Sequence, residues 1–371
     1  MRVTAVTLRD FRNYACAEVA LGDCLTVVVG PNGAGKSNLL EALYFGCTAR
    51  SPRTSNEREL VRRGAHVARV TVSTVGEDGE DNLLEVGFAP GEPKSLKVNG
   101  AAVETLATTP ARPLLSVFFP ERLELVKGAP GARRAHLDRL VAAMWPARAA
   151  TRSAYSRALA QRNALLGRIR GGAGSADSLA SWDAELARHG WRLMADRAET
   201  LTRLGPLFSE RARELGLPAE SSLRYRPRSQ ASDPEELAAE LRERHAADLE
   251  RGFTAHGPHR DDVSLLHADL PLRTYGSQGQ QRVGLLALLF AERDLLATER
   301  DRPPLMLFDD VMSELDESRR ELLSELLRSA GQSLITTTDL HQVPGSAAAG
   351  VTVVEVTAGK PRAIESPEVA A

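Results

Sequence analysis

The segment Gly30-Pro31-Asn32-Gly33-Ala34-Gly35-Lys36-Ser37 carries the most sharply defined chemistry in the sequence. It fits the spacing G-x-x-x-x-G-K-[ST] at every fixed position. Three glycines let a backbone curl so that successive N–H groups face an anion, and a following helix adds the positive end of its dipole. Lys36 would then neutralise the outer phosphates of a nucleoside triphosphate, and Ser37 would ligate Mg²⁺. A bare glycine-rich turn is the competing reading. The β-branched run Leu25–Val29 before the segment, and Leu39, Leu40, Ala42 and Leu43 after it, predict strand–loop–helix and argue against a bare turn. A second apolar run, Leu305 to Phe308, ends in Asp309 and Asp310. Asp309 is the residue expected to hold the metal, mostly through water, and Asp310 the one expected to polarise the attacking water. ATP and Mg²⁺ are therefore the expected cofactors, with Asp310 and Lys36 as catalytic residues.

Further along, Tyr275-Gly-Ser277-Gln278-Gly279-Gln280-Gln281-Arg282 precedes a strongly apolar helical stretch. It resembles the signature of ABC-type ATPases, usually Leu-Ser-Gly-Gly-Gln, with Gln278 replacing the first glycine. A serine hydroxyl, a glycine N–H and a helix N-terminus suit an anion. In that class the signature completes the site of the opposite subunit, which implies an ATP-dependent homodimer. Ser313-Glu314-Leu315-Asp316 looks like the D-loop of the same class. Thr338 stands where transport ATPases place a switch histidine, and His341 comes too late. That departure implies slow hydrolysis used as a switch.

These motifs need an α/β frame to hold them. Val3–Leu8, Leu25–Val29, Arg69–Thr74, Leu83–Phe88 and Lys94–Val98 have the β-branched content or alternation of strands. Asn99-Gly100 and Gly76 to Gly79 read as turns, with Glu77 among an acidic group that includes Asp78, Glu80, Asp81 and Glu85. From about residue 132 to 250 the chain turns rich in Ala, Leu, Arg and Glu, which favour helix. Pro304–Phe308 and Ser333–Thr338 restore the strand pattern, with helices over Gln280–Ala297 and Ser318–Ser329. The expected architecture is an α/β ABC-type ATPase head with a mixed or parallel sheet and a phosphate loop, plus an inserted helical arm. The head would span 1–130 and 252–371, and the arm 131–251.

Composition excludes several classes. The longest apolar run, Val283 to Ala291, stops at Glu292, Arg293 and Asp294, short of the ~18–20 residues of a membrane span. The N-terminus lacks the order of a signal peptide, so a cytoplasmic protein without a membrane partner is expected. Cys16, Cys24 and Cys47 form no metal spacing and read as free, buried thiols. The formal net charge of −2 conceals an uneven distribution. Between residues 121 and 170 lie Arg122, Lys127, Arg133, Arg134, Arg139, Arg148, Arg152, Arg157, Arg162, Arg168 and Arg170, opposed by Glu121, Glu124 and Asp138. A second basic stretch runs from Arg50 to Arg69. Solvated helix faces would explain both; so would a polyanionic partner.

The motifs, in this order around a short helical insertion, resemble the RecF family of bacterial recombination proteins. Leu8-Arg-Asp-Phe11-Arg12-Asn13-Tyr14 is similar to the family's opening, and Phe118-Phe119-Pro120-Glu121 with Arg133-Arg134 to its middle block. Gly252-Phe253-Thr254 with Gly257-Pro258-His259-Arg260-Asp261-Asp262 is similar to the block before the signature. The resemblance runs from residue 1 to about 345. It implies an ATP-driven dimer that binds double-stranded, gapped and junction DNA. With RecR and RecO, such a dimer helps place RecA at single-strand gaps in repair and the SOS response. In that light Arg133, Arg134, Arg152 and Arg157 become candidate phosphate contacts, and Arg12 and Asn13 candidate nucleotide contacts. A transporter subunit would call for the switch histidine, a chromosome-organising protein for hundreds of heptad residues, and a GTPase for an Asn-Lys-x-Asp segment. The sequence carries none of these.

Overall fold

A computed structural model describes residues 1–76, 78–329 and 331–364. Glu77 of the acidic group, and the side chain of Glu121, lie outside the described parts. The chain divides into two compact units, residues 1–122 with residues 296 onward, and Leu123–Leu295.

In chain order the first unit opens with β1 (Arg2–Phe11), β2 (Tyr14–Ala20), β3 (Leu25–Val29) and α1 (Lys36–Thr48). It continues through β4 (Ala68–Val75), β5 (Asp81–Phe88), β6 (Ser95–Val98), β7 (Ala101–Ala102) and β8 (Leu115–Phe118). The second unit holds α2 (Glu124–Lys127), α3 (Pro130–Met144), α4 (Ala149–Arg170), α5 (Leu179–Glu214), β9 (Ser221–Arg226), α6 (Pro234–Glu243) and α7 (His245–Arg251). It also holds β10 (Asp262–His267), β11 (Leu270–Pro271) and α8 (Leu272–Tyr275); α9 (Gln278–Arg300) crosses the boundary. The chain ends with β12 (Leu305–Phe308), α10 (Glu317–Ser329), β13 (Ser333–Thr337), β14 (Val351–Thr357) and β15 (Lys360–Ile364).

Two sheets build the first unit. One is an antiparallel sheet in the order β2-β1-β4-β5-β6-β7. Its central strand β4 alternates buried and half-exposed positions, as a sheet with one covered face requires. The other runs β15-β14-β3-β13-β12-β8 and is parallel from β14 to β8, with β15 antiparallel at the edge. Strands β12 and β13 are buried on both faces; β12 therefore reads as an unbroken apolar run, whereas β13 buries the hydroxyls of Ser333, Thr336 and Thr337 beside its Leu-Ile pair. Leu39, Leu40, Leu43 and Phe45 of α1 are fully buried and join residues of both sheets in one core. The carboxamide of Gln332 ties the sheets: it accepts from Val3 N at 2.9 Å and donates to the carbonyls of Val3 and Gly22 at 2.6 and 2.8 Å.

The second unit centres on α5, a helix of 36 residues and about 54 Å. Leu186, Leu193, Leu201, Leu204 and Phe208 bury one stripe of it, and Pro206 is accommodated inside it. Sequence periodicity did not reveal β9, whose exposed Arg224 and Arg226 mask a strand that pairs antiparallel with β10. That pairing draws residues 262–267 into this unit, so its boundaries fall at 122/123 and 295/296, outside the expected 131–251. The cysteines are free, and only Cys47 is buried; Cys16 on β2 and Cys24 just before β3 are exposed, correcting the expectation of burial. No described helix is long and apolar enough to cross a membrane.

Candidate nucleotide-binding site

Strand order places the phosphate loop. β3 delivers Gly30 and β12 delivers Asp309, with β13 between them. All three strands run parallel, so the loop and the acids emerge together at the carboxyl ends, where open α/β sheets bind ligands. A Cβ on Gly30 would lie 2.2 Å from the Val356 carbonyl, so only glycine fits where the loop leaves the sheet. Gly35 has φ of 118°, and a Cβ there would lie 2.5 Å from the Asn13 amide. Gly33, at φ 79°, faces open space, leaving its backbone approachable.

Lys36 opens α1 and curls back over the loop. Its ammonium donates to the carbonyls of Gly30 and Pro31 at 2.7 and 3.1 Å. Burial pulls its pKa down, against the opposing pull of Asp310 and Asp309. Ser37 Oγ donates to Asp309 Oδ1 at 2.8 Å, and Thr336 Oγ1 donates to the same oxygen at 2.7 Å. Burial raises the Asp309 pKa, and these two hydroxyls oppose the rise. Thr336 Oγ1 also accepts from Asp310 N at 2.9 Å. Sequence reasoning missed Thr336, which lies two residues before the position examined for a switch histidine. Its hydroxyl is one of three on β13, with Ser333 and Thr337, so residue type alone did not single it out.

Asp310 sits at φ 48°, a left-handed conformation unusual for aspartate. Its Oδ1 is buried and has no hydrogen-bond partner among the described residues. Strain and an unsatisfied oxygen beside the phosphate loop mark a group held ready for a ligand. Ser313 of the D-loop-like segment donates to the Asp310 carbonyl at 2.9 Å. Thr338 follows the end of β13, and His341 is exposed.

The residues present suit a magnesium–nucleotide pair. No cluster of three or more His, Cys, Asp or Glu that could hold a metal occurs among the described residues. A cation here would need the Ser37 hydroxyl, Asp309 and phosphate oxygens together, and the first two already touch.

The turn Arg12–Asn13 braces the loop. Asn13 Nδ2 donates to Ala34 O at 2.9 Å, and its Oδ1 accepts from Asn38 at 2.8 Å. Tyr14 Oη donates to Gly35 O, and Gly359 N to Ala34 O, both at 2.9 Å. Arg12 donates two 2.9 Å bonds to Glu41, which is fully buried on α1. Glu41 also accepts from Ser51 at 2.6 Å and from Arg53 at 3.3 Å. Burial lowers the Arg12 pKa, but the bonds and charges of Glu41 and Glu59 outweigh it and the net shift is upward.

In the second unit, Ser277, Gln278 and Gly279 are exposed and Gln280 is half-buried, with Tyr275 66% exposed beside them. Ser277 Oγ accepts from Gln280 N at 3.2 Å, and Ser277 N donates to Gln280 Oε1 at 2.8 Å. This reciprocal capping box starts α9. Gln281 anchors the turn from behind by donating to the carbonyls of Leu272 and Gly276 at 2.9 and 3.0 Å.

The arginines expected to meet DNA phosphates fare differently. Arg133 is buried, donates to both oxygens of Asp262 at 2.8 and 2.9 Å and to Gly128 O, and is unavailable to a phosphate. Arg134 is half-buried and donates to Asp261 O at 2.7 Å; burial, then the neighbouring Arg197, lowers its pKa. Arg152 is half-exposed at 3.3 Å from Asp138, and Arg157 is exposed. Arg162, another member of the basic stretch, is fully buried between Asp183 and Asp248. In the first unit, Arg50, Arg58, Arg63 and Arg69 are exposed.

The block Gly257 to Asp262 is a structural clasp. His259 Nδ1 lies 2.6 Å from Tyr155 Oη and its Nε2 3.0 Å from Thr254 O. A neutral ring donating from Nε2 and accepting at Nδ1 satisfies both contacts. Burial pushes its pKa down to about 4. Asp261 accepts from Arg197, Tyr225 and the Arg228 backbone.

Residues 2–360 match the family model described as the RecF/RecN/SMC N terminal domain. The chain is 39% identical over 365 residues to the DNA replication and repair protein RecF of Streptomyces avermitilis, covering 93% of this chain and 95% of that one. It is similar to the solved recombination mediator protein RecF with ATP in the RecFOR pathway, at TM-score 0.87 and 28% identity over 98% of both chains. An Smc head bound to the C-winged helix domain of ScpA shares the fold at TM-score 0.60 and 18% identity, covering 99% of this chain and 98% of the other. With its phosphate loop, acidic strand and signature in the order that the family model spans, the chain belongs to the RecF family of ABC-type ATPases.

Proposed function

We propose that the chain is an ATP-gated DNA-binding dimer of cytoplasmic recombinational repair. Gly30 to Ser37 hold the triphosphate, and Ser277 to Gln280 of a second copy close over it. The observation that carries this reading is the exposed signature turn, in which, among the described residues, the Ser277 hydroxyl and the Gln280 amide bond only to each other. Mg²⁺ held by Ser37 and Asp309 would supply charge neutralisation at the phosphates. Asp310 orients water from its strained turn, and without a switch histidine turnover is weak and times the dimer. Double-stranded DNA near single-strand gaps is the polyanion, and RecR and RecO are the partners with which the dimer promotes RecA loading. The family relationship supports these partners.

The exposed arginines Arg50, Arg58, Arg63 and Arg69 supply sequence-independent phosphate contacts. Binding to a gapped duplex, measured with and without ATP across a salt series, tests the reading. ATP should tighten binding, and each neutralised phosphate should add about −0.9 to the slope of log K against log salt. Arg63→Ala should reduce that slope by about one. Binding indifferent to both ATP and salt would overturn the proposal.

A further inference from the structure

The second unit carries a cleft of about 430 Å³ that the nucleotide site does not use. Arg139, Arg148, Arg152 and Arg157 line it, together with Ser153 and Ser156. Two carboxylates also face it, and both are already compensated. Asp138 accepts from Arg197 at 2.8 and 3.1 Å, and Asp196 lies 3.1 Å from both Arg148 and Arg192. Arg139 and Arg157 are exposed and have no ion-pair or hydrogen-bond partner among the described residues. The first turn of α4, which carries no acidic residue, opens onto the same space and adds the positive end of its dipole. Beneath the guanidinium groups lie Val141 and Leu193, both buried.

We propose that this cleft is a docking site for a short acidic peptide segment of a partner protein, carrying at least two carboxylates around an apolar side chain. Charge complementarity selects an anion, because Arg148 and Arg152 already pair with Asp196 and Asp138 while Arg139 and Arg157 have no carboxylate partner among the described residues. Guanidinium forks bind carboxylates in paired bonds, which fixes orientation as well as charge. The apolar floor selects a peptide over nucleic acid. A duplex backbone is a broad, convex row of charges with no apolar group to place on Val141 and Leu193. This reassigns Arg152 and Arg157 from duplex contacts to the walls of a peptide cleft.

The test uses the full chain and a fluorescein-labelled decapeptide rich in aspartate with a central leucine, read by anisotropy. Wild-type protein should bind it, and Arg139→Glu/Arg157→Glu should weaken binding at least tenfold. Neither side chain has a partner to lose, so the melting temperature and ATP affinity should stay unchanged. Replacing the peptide's leucine by serine should also weaken binding. Equal binding by the double variant would overturn the proposal, as would no binding by wild-type protein. Displacement of the peptide by pyrophosphate or a DNA duplex at lower concentration than by unlabelled peptide would also overturn it, making the cleft a phosphate site.

Discussion

Replacing Glu41 by glutamine removes the charge from a carboxylate that solvent does not reach. The side chain accepts four bonds: two from Arg12, one from Ser51 and one from Arg53. Glutamine keeps one acceptor oxygen and turns an NH₂ group toward the guanidinium groups. Removing one partner of a buried pair costs about 3–5 kcal/mol. The lower end applies, because Arg12 and Arg53 are 18% and 29% exposed and regain water when released. A loss of about 3 kcal/mol in a unit of about 200 residues lowers the melting temperature by about 6–12 °C. Scanning calorimetry reads this directly, and hydrogen exchange across α1 should locate it. Arg12→Gln should cost a similar amount, and the double variant clearly less than the sum. A fall of less than about 2 °C for Glu41→Gln would refute the view that Arg12 braces α1, and would return it to the nucleotide.

Other consequences can be measured separately. Lys36→Ala should weaken ATP binding by about 2–3 kcal/mol, roughly 30- to 150-fold, since charge-assisted bonds to phosphate replace two carbonyl bonds; unchanged affinity by titration calorimetry would reject the loop assignment. Ser277→Arg should abolish ATP-driven dimerisation in sedimentation runs while leaving nucleotide binding by the monomer nearly intact; an unaltered dimer would discard the shared site. Asp310→Asn should trap the ATP-bound dimer on DNA, and undiminished phosphate release would reassign the water-orienting group. His259 is held neutral, so its folded pKa lies below its unfolded value. Its contribution is complete above about pH 6.5 and is lost as pH falls toward about 4, about 3 kcal/mol in all. His259→Gln should flatten that acid limb in chemical unfolding followed by tryptophan fluorescence, and an unchanged limb would exclude this histidine as its source.

The phosphate loop was legible because its geometry restricts residue type. Gly30 and Gly35 admit no side chain, and a lysine and a hydroxyl must follow at fixed spacing. The acidic strand was legible for a similar reason, since β12 is buried on both faces until the chain reaches Asp309. The roles of Thr336, Tyr14 and Glu41 were not legible because they depend on which elements lie side by side. β13 separates β3 from β12, an order that local pattern does not encode. Charge counting misled for Arg133 and Arg162, whose acidic partners Asp262 and Asp248 lie 129 and 86 positions away. A basic stretch in sequence is therefore partly an internal scaffold in space.

The bonds from the Lys36 ammonium to Gly30 and Pro31 give the phosphate loop a resident counter-charge. Its carbonyls are satisfied and its curvature set before any anion arrives. An incoming triphosphate has only to exchange one set of partners for another, so the entropy of ordering the loop does not count against affinity.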